Sequence, residues 1–287
     1  MKKINMIKKK PDWLKVKIPL GKNYNKIKNL IKIKKINTVC QSASCPNIGE
    51  CWGKGVATFM ILGNICTRSC KFCGVIKGRP KKLDNEEPTK VAESIKILGS
   101  KHIVLTSVNR DDLKDMGVSI WIRTIHKIRN INKYITIETL IPDFKGDKKI
   151  IKNIVDIKPE IISHNIETVY RLTKIVRVQA KYNRSLNLLE YIKNENNKIR
   201  TKTGIMLGLG ETKEEVIETM IDIKKSKVDI LTIGQYLQPS MKHYPVYSYI
   251  NPKKFEFFKK IGLKMGFLYV ESGPLVRSSY HADKHVK

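Results

Sequence analysis

No apolar run in this 287-residue chain reaches the roughly 20 residues needed to cross a bilayer, so no membrane span is expected. The start, MKKINMIKKKPDW, is basic but has neither an apolar h-region nor a small-residue cleavage site. It also lacks the Arg- and Ser-rich amphipathic character of a transit peptide, which leaves a cytoplasmic location as the expectation. Cysteine is scarce: six residues, all between Cys40 and Cys73. In a reducing compartment they are not expected to form structural disulfides. There is no internal repeat, no low-complexity tract and no dividing linker. The length allows one large domain or two small ones, with a substantial core.

Acidic residues are the other shortage. Asp and Glu number 26 against 56 Lys and Arg, a formal net charge of +30. Such an excess invites a polyanion. Yet it is mostly lysine, spread from end to end, and Ile and Asn are heavily used too. Codons for all three are AT-rich, so the pattern reads as a genome-wide composition bias, and dispersed lysines more often make a solvated face than a binding stripe. An acidic protein partner suits the charge as well as RNA does. Neither a nucleic-acid nor a membrane partner is expected.

From residue 58 onward, short β-branched runs alternate with segments of helical period. The strand candidates are TFMILG (58–63), HIVLTSV (102–108), YITIETLIP (134–142), EIISHNIE (160–167), KTGIMLGLG (202–210) and ILTIGQY (230–236). Their near-continuous apolar character suits strands buried on both faces. Between them lie TKVAESIKILG, SIWIRTIHKIRNI, KKIIKNIVDIK, SLNLLEYIKNEN and KEEVIETMIDIKKS, the last opened by a capping box of Thr212 and Glu215. A final helix, PKKFEFFKKIGLKMG, precedes a last strand, FLYVES. Six strand–helix units imply a parallel sheet with right-handed crossovers, short of the eight that close a barrel. The expectation is an α/β fold, a partial (β/α)6 TIM-type barrel over 58–270. An N-terminal extension (1–57) and a C-terminal segment (271–287) would cover its mouth.

The cysteines form two groups of three, C-x4-C-x5-C (Cys40, Cys45, Cys51) and C-x3-C-x2-C (Cys66, Cys70, Cys73). The second falls in the loop after the first strand, at the end of a barrel where chemistry sits. Three thiolates leave tetrahedral structural zinc one ligand short. They suit a 4Fe–4S cubane with one iron open to a substrate. This triad, with Phe72 before its last cysteine, resembles the radical S-adenosylmethionine superfamily. The resemblance implies that the open iron chelates the amino and carboxylate groups of S-adenosylmethionine, whose reductive cleavage yields a 5′-deoxyadenosyl radical. GIMLGLGE (204–211) is similar to the superfamily's G-x-I-x-G-x-x-E, which implies that Gly208 and Glu211 lie beside the adenine. Thr106 and Ser107, in LTS at 105–107, would meet the methionine amino group. Glu138, His164 and Asn165 lie on strands whose inward faces line the cavity. Glu138 and Asn165 are taken as cofactor contacts, and His164 as a wall residue rather than a base.

The first triad, placed N-terminal to the second, together with RSSYHA (277–282), resembles the lipoyl synthase family. KPDWLKVKIP, CPNIGECW, TSVNRDDLKDMG, IETLIPDFKG, SLNLLEYIK, GLGETKEEV, LTIGQYLQPS, HYPV and GPLVRSSYHAD all read like that family. Two departures stand out. The family's Arg-Pro-Gly-Ala is RVQA (177–180) here, which touches the cofactor role implied for Arg177, and NRDDLKDMG replaces a commoner Asp-Arg-Asp-Asp…Gly-Gly form.

The resemblance implies two 4Fe–4S clusters and no catalytic side chains beyond their ligands. Cys66, Cys70 and Cys73 would hold the radical cluster. Cys40, Cys45, Cys51 and Ser279, the second serine of RSSY, would hold an auxiliary cluster that supplies sulfur. The implied reaction inserts sulfur at carbons six and eight of an octanoyl group on a lysine of a lipoyl carrier domain. The implied partners are 2-oxoacid dehydrogenase E2 subunits and the glycine cleavage H protein, reduced flavodoxin or ferredoxin, and an iron–sulfur carrier protein that rebuilds the spent cluster. The alternative is a radical methylthiotransferase acting on RNA. Such enzymes usually add an RNA-binding domain, for which the few residues after RSSYHA leave no room.

Overall fold

Strands covered on both faces are rich in β-branched and other apolar side chains, and the apolar runs fold accordingly. A computed structural model describes residues 9–16 and 19–286. The start up to Lys8, Lys17 and Ile18 of KPDWLKVKIP, and Lys287 lie outside the described residues. The strands are β1 (Asn37–Thr38), β2 (Thr58–Ile61), β3 (Ile65–Cys66), β4 (Ile76–Lys77), β5 (His102–Ser107), β6 (Thr136–Leu140), β7 (Ile161–Ser163), β8 (Arg200–Leu207), β9 (Ile230–Gln235) and β10 (Tyr269–Gly273). The helices are α1 (Lys22–Lys34), α2 (Val39–Ser42), α3 (Ile48–Gly53), α4 (Glu87–Leu98), α5 (Val118–Ile131), α6 (Lys148–Asp156), α7 (Tyr170–Val176), α8 (Tyr182–Glu195), α9 (Lys213–Lys225) and α10 (Pro252–Lys264).

One sheet runs in the order β1-β2-β5-β6-β7-β8-β9-β10, and its two edges do not pair, so the barrel is partial as expected. All neighbours are parallel except β1, which lies antiparallel on β2. β3 and β4 form a separate parallel ribbon with Cys66 opposite Lys77. The six predicted strand–helix units are present, and β10 adds a seventh parallel strand. The capping box opens α9, with both hydrogen bonds made. Two strands end earlier than their apolar runs suggest. After Ser163 regular pairing lapses, but the chain stays on β8: the His164 N–H donates to the Lys202 carbonyl at 3.0 Å, and Glu167, at a φ of +68°, bridges to Ile205. β8 stops at Leu207 because Gly208 turns with φ +99°, where a Cβ would lie 2.4 Å from the Ser248 carbonyl oxygen.

Side chains alternate between the two sheet faces. Ile103, Leu105, Ile137, Ile205, Leu207, Leu231 and Ile233 join the apolar core beneath the helices. Their neighbours His102, Thr106, Glu138, Lys202, Gly204 and Thr232 face the lumen. That lumen is polar, unlike the branched-apolar filling of a closed barrel.

The described elements before β2 and the segment after β10 pack against each other. In α1, Ile27, Leu30 and Ile31 form one buried stripe, and Tyr24 packs on the fully buried Trp52 of α3 with ring centroids 5.2 Å apart. The segment after β10 crosses to α3: Asn47 Nδ2 donates to the Leu275 carbonyl at 2.7 Å, and the Tyr280 hydroxyl donates to Glu50 at 3.1 Å. Gly234 permits that crossing, since a Cβ there would sit 2.1 Å from the Val276 carbonyl oxygen. A last 3₁₀ turn, Ala282–Val286, buries His285 completely beside the Tyr269 ring and gives its carbonyl to Arg200. Among the described residues, no helix is long and apolar enough to cross a membrane.

Candidate functional site

The radical triad begins on the β3 ribbon, and its loop is tied down from several elements. At the end of β2, the Leu62 and Gly63 N–H groups donate to buried Glu87 at 2.7 and 3.1 Å, which turns the chain towards β3. Cys66 Sγ accepts from the backbone N–H groups of Arg68 and Asn109 at 3.4 and 3.3 Å, and from the Asn109 side chain at 3.7 Å. Arg68, almost fully buried, forks onto Asp111 at 2.6 and 2.9 Å and reaches Asp143 at 2.7 Å. Burial alone would raise the Asp143 carboxyl, but the Arg68 guanidinium prevails and holds it below the usual carboxylate range. Bidentate charged pairs of this kind fix geometry as well as supplying energy. On the far side, the Ser69 N–H and hydroxyl donate to Gln179 Oε1 at 3.0 and 3.2 Å, and His243 Nε2 donates to the Cys73 carbonyl at 3.1 Å. Burial pushes the Cys70 thiol up and the Cys73 thiol up to about 12. Cluster binding at these thiols therefore releases protons.

The residues expected to contact the cofactor, with Asn109 and His164 beside them, fall into two groups. Ser107 Oγ, Asn109 Oδ1 and Asn165 Oδ1 are buried without a hydrogen-bond partner among the described residues. Unsatisfied polar atoms gathered beside the triad suit a polar ligand, because leaving each one unpaired costs about 1–3 kcal/mol. Asn165 Nδ2 also donates to Glu167 at 3.1 Å, and Glu167 faces Arg177. The other residues have protein partners. Thr106 donates to the Leu140 carbonyl at 3.0 Å. Both oxygens of Glu211 accept from the turn, from Gly208 N–H at 2.6 Å and Leu209 N–H at 2.9 Å. Arg177 donates to the Ile166 carbonyl at 2.9 Å and to Ser185 at 3.2 Å. Glu138 is fully buried and takes Lys202 Nζ on one oxygen at 2.9 Å, leaving Oε1 without a partner. His164 is a wall residue: Nδ1 bonds the Ile141 carbonyl at 2.9 Å and Nε2 bonds Ser185 at 2.8 Å. Burial drops its pKa to about 4, so it is neutral at pH 7.

The auxiliary triad lines one pocket together with residues from the far end of the chain. Cys40, Cys45 and Cys51 meet Arg277, Ser279 and Tyr280 there, with Asn47 and Thr58 on the wall, and Ser278 is not part of that lining. The Thr38 side chain caps α2 and so places Cys40, and α3 carries Cys51. Burial raises the thiols, Cys51 to about 12, and next to Cys45 Arg277 offers the opposing positive charge. Among the described residues, no three His, Cys, Asp or Glu side chains converge tightly enough for a single metal ion. A cubane, whose irons each take one protein ligand, does not require them to meet.

Arg68, Asn109, Asp111, Asp143, Glu167, Gln179, His243 and Arg277 had no role assigned from sequence. Several stand inside strings quoted above (NRDDLKDMG, IPDFKG, HYPV, RSSYHAD), but what they touch is set by tertiary contacts that spacing does not show.

Residues 60–223 match the radical SAM superfamily, and residues 1–45 match the N-terminal domain of lipoyl synthase of that family. The lipoyl synthase of Karelsulcia muelleri is 63% identical over 100% of this chain and 99% of its own length. That of Flavobacterium psychrophilum is 61% identical over 96% of this chain and 95% of its own length. Among solved structures, methylornithine synthase superposes with a TM-score of 0.57 at 13% identity, covering 86% of this chain and 81% of that one, which speaks to the fold alone.

Proposed function

The chain belongs to the lipoyl synthase family of the radical SAM superfamily, and from that premise we propose that its two cysteine triads divide the chemistry between them. The reaction is insertion of two sulfur atoms, at carbons six and eight of an octanoyl group on a lipoyl carrier domain. Its cofactors are S-adenosylmethionine and two 4Fe–4S clusters. The RNA methylthiotransferase alternative is not favoured, because lipoyl synthases match nearly the whole chain. When bound, these groups supply a carbon radical able to take hydrogen from an unactivated methylene, and the sulfur that replaces it.

In this reading Cys66, Cys70 and Cys73 hold the radical cluster, in a loop fixed by Arg68, Gln179 and His243. Ser107 and Asn165 offer their unpaired oxygens to S-adenosylmethionine, with Glu167 and Arg177 behind them. Thr106 and Glu138 line the approach from the lumen. Glu211 sets the Gly208 turn, so that backbone rather than side chain meets the adenine. Cys40, Cys45, Cys51 and Ser279 hold the auxiliary cluster, and Arg277 offsets its negative charge. The observation that carries this assignment is the pocket in which a serine from the C-terminal segment faces three N-terminal cysteines. Positioning is most of the protein's contribution, since a free primary radical attacks any neighbouring C–H bond.

The same reading takes 1–57, 58–270 and 271–287 as functional units. It names E2 subunits and the H protein as carriers, reduced flavodoxin or ferredoxin as donor, an iron–sulfur carrier for rebuilding, and the cytoplasm as location.

The test is anaerobic turnover of the reconstituted protein with S-adenosylmethionine, a reductant and an octanoylated peptide. About eight irons are expected per chain, four for each cubane, and mass spectrometry is expected to show a gain of two sulfurs. Replacing Cys66, Cys70 and Cys73 by Ala abolishes deoxyadenosine formation and spares the other cluster. Replacing Cys40, Cys45 and Cys51 leaves deoxyadenosine and stops sulfur insertion. Lipoyl product from the second variant would refute this division.

A further inference from the structure

The ribbon that bears Cys66 continues into a run of cations. Lys77, Arg79, Lys81 and Lys82 occupy four of the six positions 77–82, all four are exposed, and none forms an ion pair among the described residues. Lys35, also exposed, joins Lys81 and Lys82 in lining a cleft against Asn64, Ile65 and Pro80. Two carboxylates border the cleft, and neither neutralises it. Asp84 pairs with Lys90 at 2.6 Å, and Glu87 is buried on the β2 turn. At about 110 Å³ the cleft is below the 300 Å³ or so of a cofactor pocket and fits a protruding side chain. Ile76, directly opposite Ile65 in the ribbon, is 60% exposed and stands among the cations as an apolar anchor.

We propose that this ribbon face is the docking surface for an acidic one-electron carrier protein, which delivers the reducing electron to the site of Cys66, Cys70 and Cys73. The inference rests on the reading of that triad as the redox cluster. Each S-adenosylmethionine cleaved takes up one electron. It leaves the reduced carrier, enters at the triad, and ends in the broken sulfonium bond, giving methionine and one carbon radical with no proton moved. Two features single out this face. A protein seated on Ile76 and Lys77 lies one strand from Cys66, so the electron enters through a ligand strand. The ribbon is also separate from the eight-stranded sheet, so its occupant meets the ligand loop and not the lumen in which an acyl chain must react. A face of unopposed cations steers an acidic partner, raising encounter rates 10- to 1,000-fold at low ionic strength.

The experiment compares the unsubstituted protein with a Lys77→Glu, Arg79→Glu, Lys81→Glu, Lys82→Glu variant, using two reductants. With reduced flavodoxin as donor, the variant is expected to show at least a tenfold higher KM for flavodoxin in deoxyadenosine formation. With dithionite, which needs no docking, its rate is expected to match the unsubstituted protein. Titration of oxidised flavodoxin into cluster-free protein, followed by NMR, is expected to show binding that the variant loses and a Lys→Arg version keeps. Unchanged dependence on flavodoxin would overturn the proposal. So would equal loss with both reductants, or a defect confined to the KM of an octanoylated lipoyl domain. No deoxyadenosine from the unsubstituted protein with dithionite would instead remove the underlying reading of the triad.

Discussion

In the ligand set proposed for the auxiliary cluster, Ser279 would be the one oxygen among thiols. An alkoxide is hard and iron in sulfide clusters is soft, so such a bond would be weaker than its thiolate neighbours. A weak corner suits a cluster that gives up sulfur, because an iron must come loose when the sulfide leaves. Geometry favours one of the two serines: the extended arrangement in which neighbours face opposite ways is replaced here by a turn closed by the Tyr280 N–H on the Arg277 carbonyl at 2.9 Å, and of its two central residues Ser279 lines the cysteine pocket while Ser278 does not. Ser279→Cys is therefore expected to keep a full auxiliary cluster and to cleave S-adenosylmethionine, while inserting sulfur at least tenfold more slowly. Ser279→Ala is expected to lose insertion, and Ser278→Ala to be milder. Iron counts, Mössbauer spectra and product mass check this, and normal turnover by Ser279→Ala would end the assignment. The departure at 177–180 is also resolved at this scale. At the position of the Pro-Gly in the pattern the chain resembles, Gln179 supplies a carboxamide that holds Ser69, between Cys66 and Cys70, while Arg177 bonds Ile166 and Ser185.

The C-terminal segment positions that serine, and its far end is anchored in an unusual setting. His285 enters the lumen floor near His102, Lys202 and Arg200, with Glu138 paired to Lys202 and Asp283 on the same turn. Burial first, and then the Lys202 charge, lower His102 to about 4 and His285 to about 3. The unfolded chain takes up these protons near pH 6.5, and the folded chain refuses them until pH 4 or below. Stability is thus fully present above pH 6.5 and falls as the pH drops through that window, with His164 adding to the slope. Each histidine contributes up to ~1.4 kcal/mol per pH unit. Urea unfolding of the cluster-free protein between pH 7.5 and 5 is expected to show this loss, and His102→Gln with His285→Gln to flatten it. Hydrogen exchange at 277–286 is expected to rise first. An unchanged slope in the double variant would contradict the anchor. Little of this was legible in the sequence. The barrel strands were, because burial on both faces writes a continuous β-branched run. β1 has two residues, α7 has seven, and α1 hides Ile27, Leu30 and Ile31 among lysines, so none gave a clear period. The cysteines announced themselves by spacing. Arg68 and Arg277 did not, because their work depends on which distant carboxylate or thiol the fold brings near.

Across the whole molecule the excess of cations has no fold-level role, since 56 Lys and Arg cannot be matched by 26 Asp and Glu. Its consequence is a field, and a field acts on encounter rates more than on affinity. Screening shortens its reach to about 10 Å at 0.1 M salt, so docking of an acidic folded domain weakens with ionic strength while chemistry inside the lumen does not. The substrate offers an internal control, because the same octanoyl-lysine can be presented on a folded acidic lipoyl domain or on a short uncharged peptide. Between 0.05 and 0.5 M salt, kcat/KM for the domain is expected to fall about tenfold through KM. The peptide's value is expected to stay within about twofold, and kcat is expected to hold for both. The ribbon variant is expected to retain most of the domain's salt dependence, since the remaining lysines still supply the field, while losing that of the flavodoxin. Equal salt dependence for domain and peptide would mean that salt acts on the clusters or the fold. Salt-resistant, sequence-selective RNA binding would mean that the charge serves a polyanion after all.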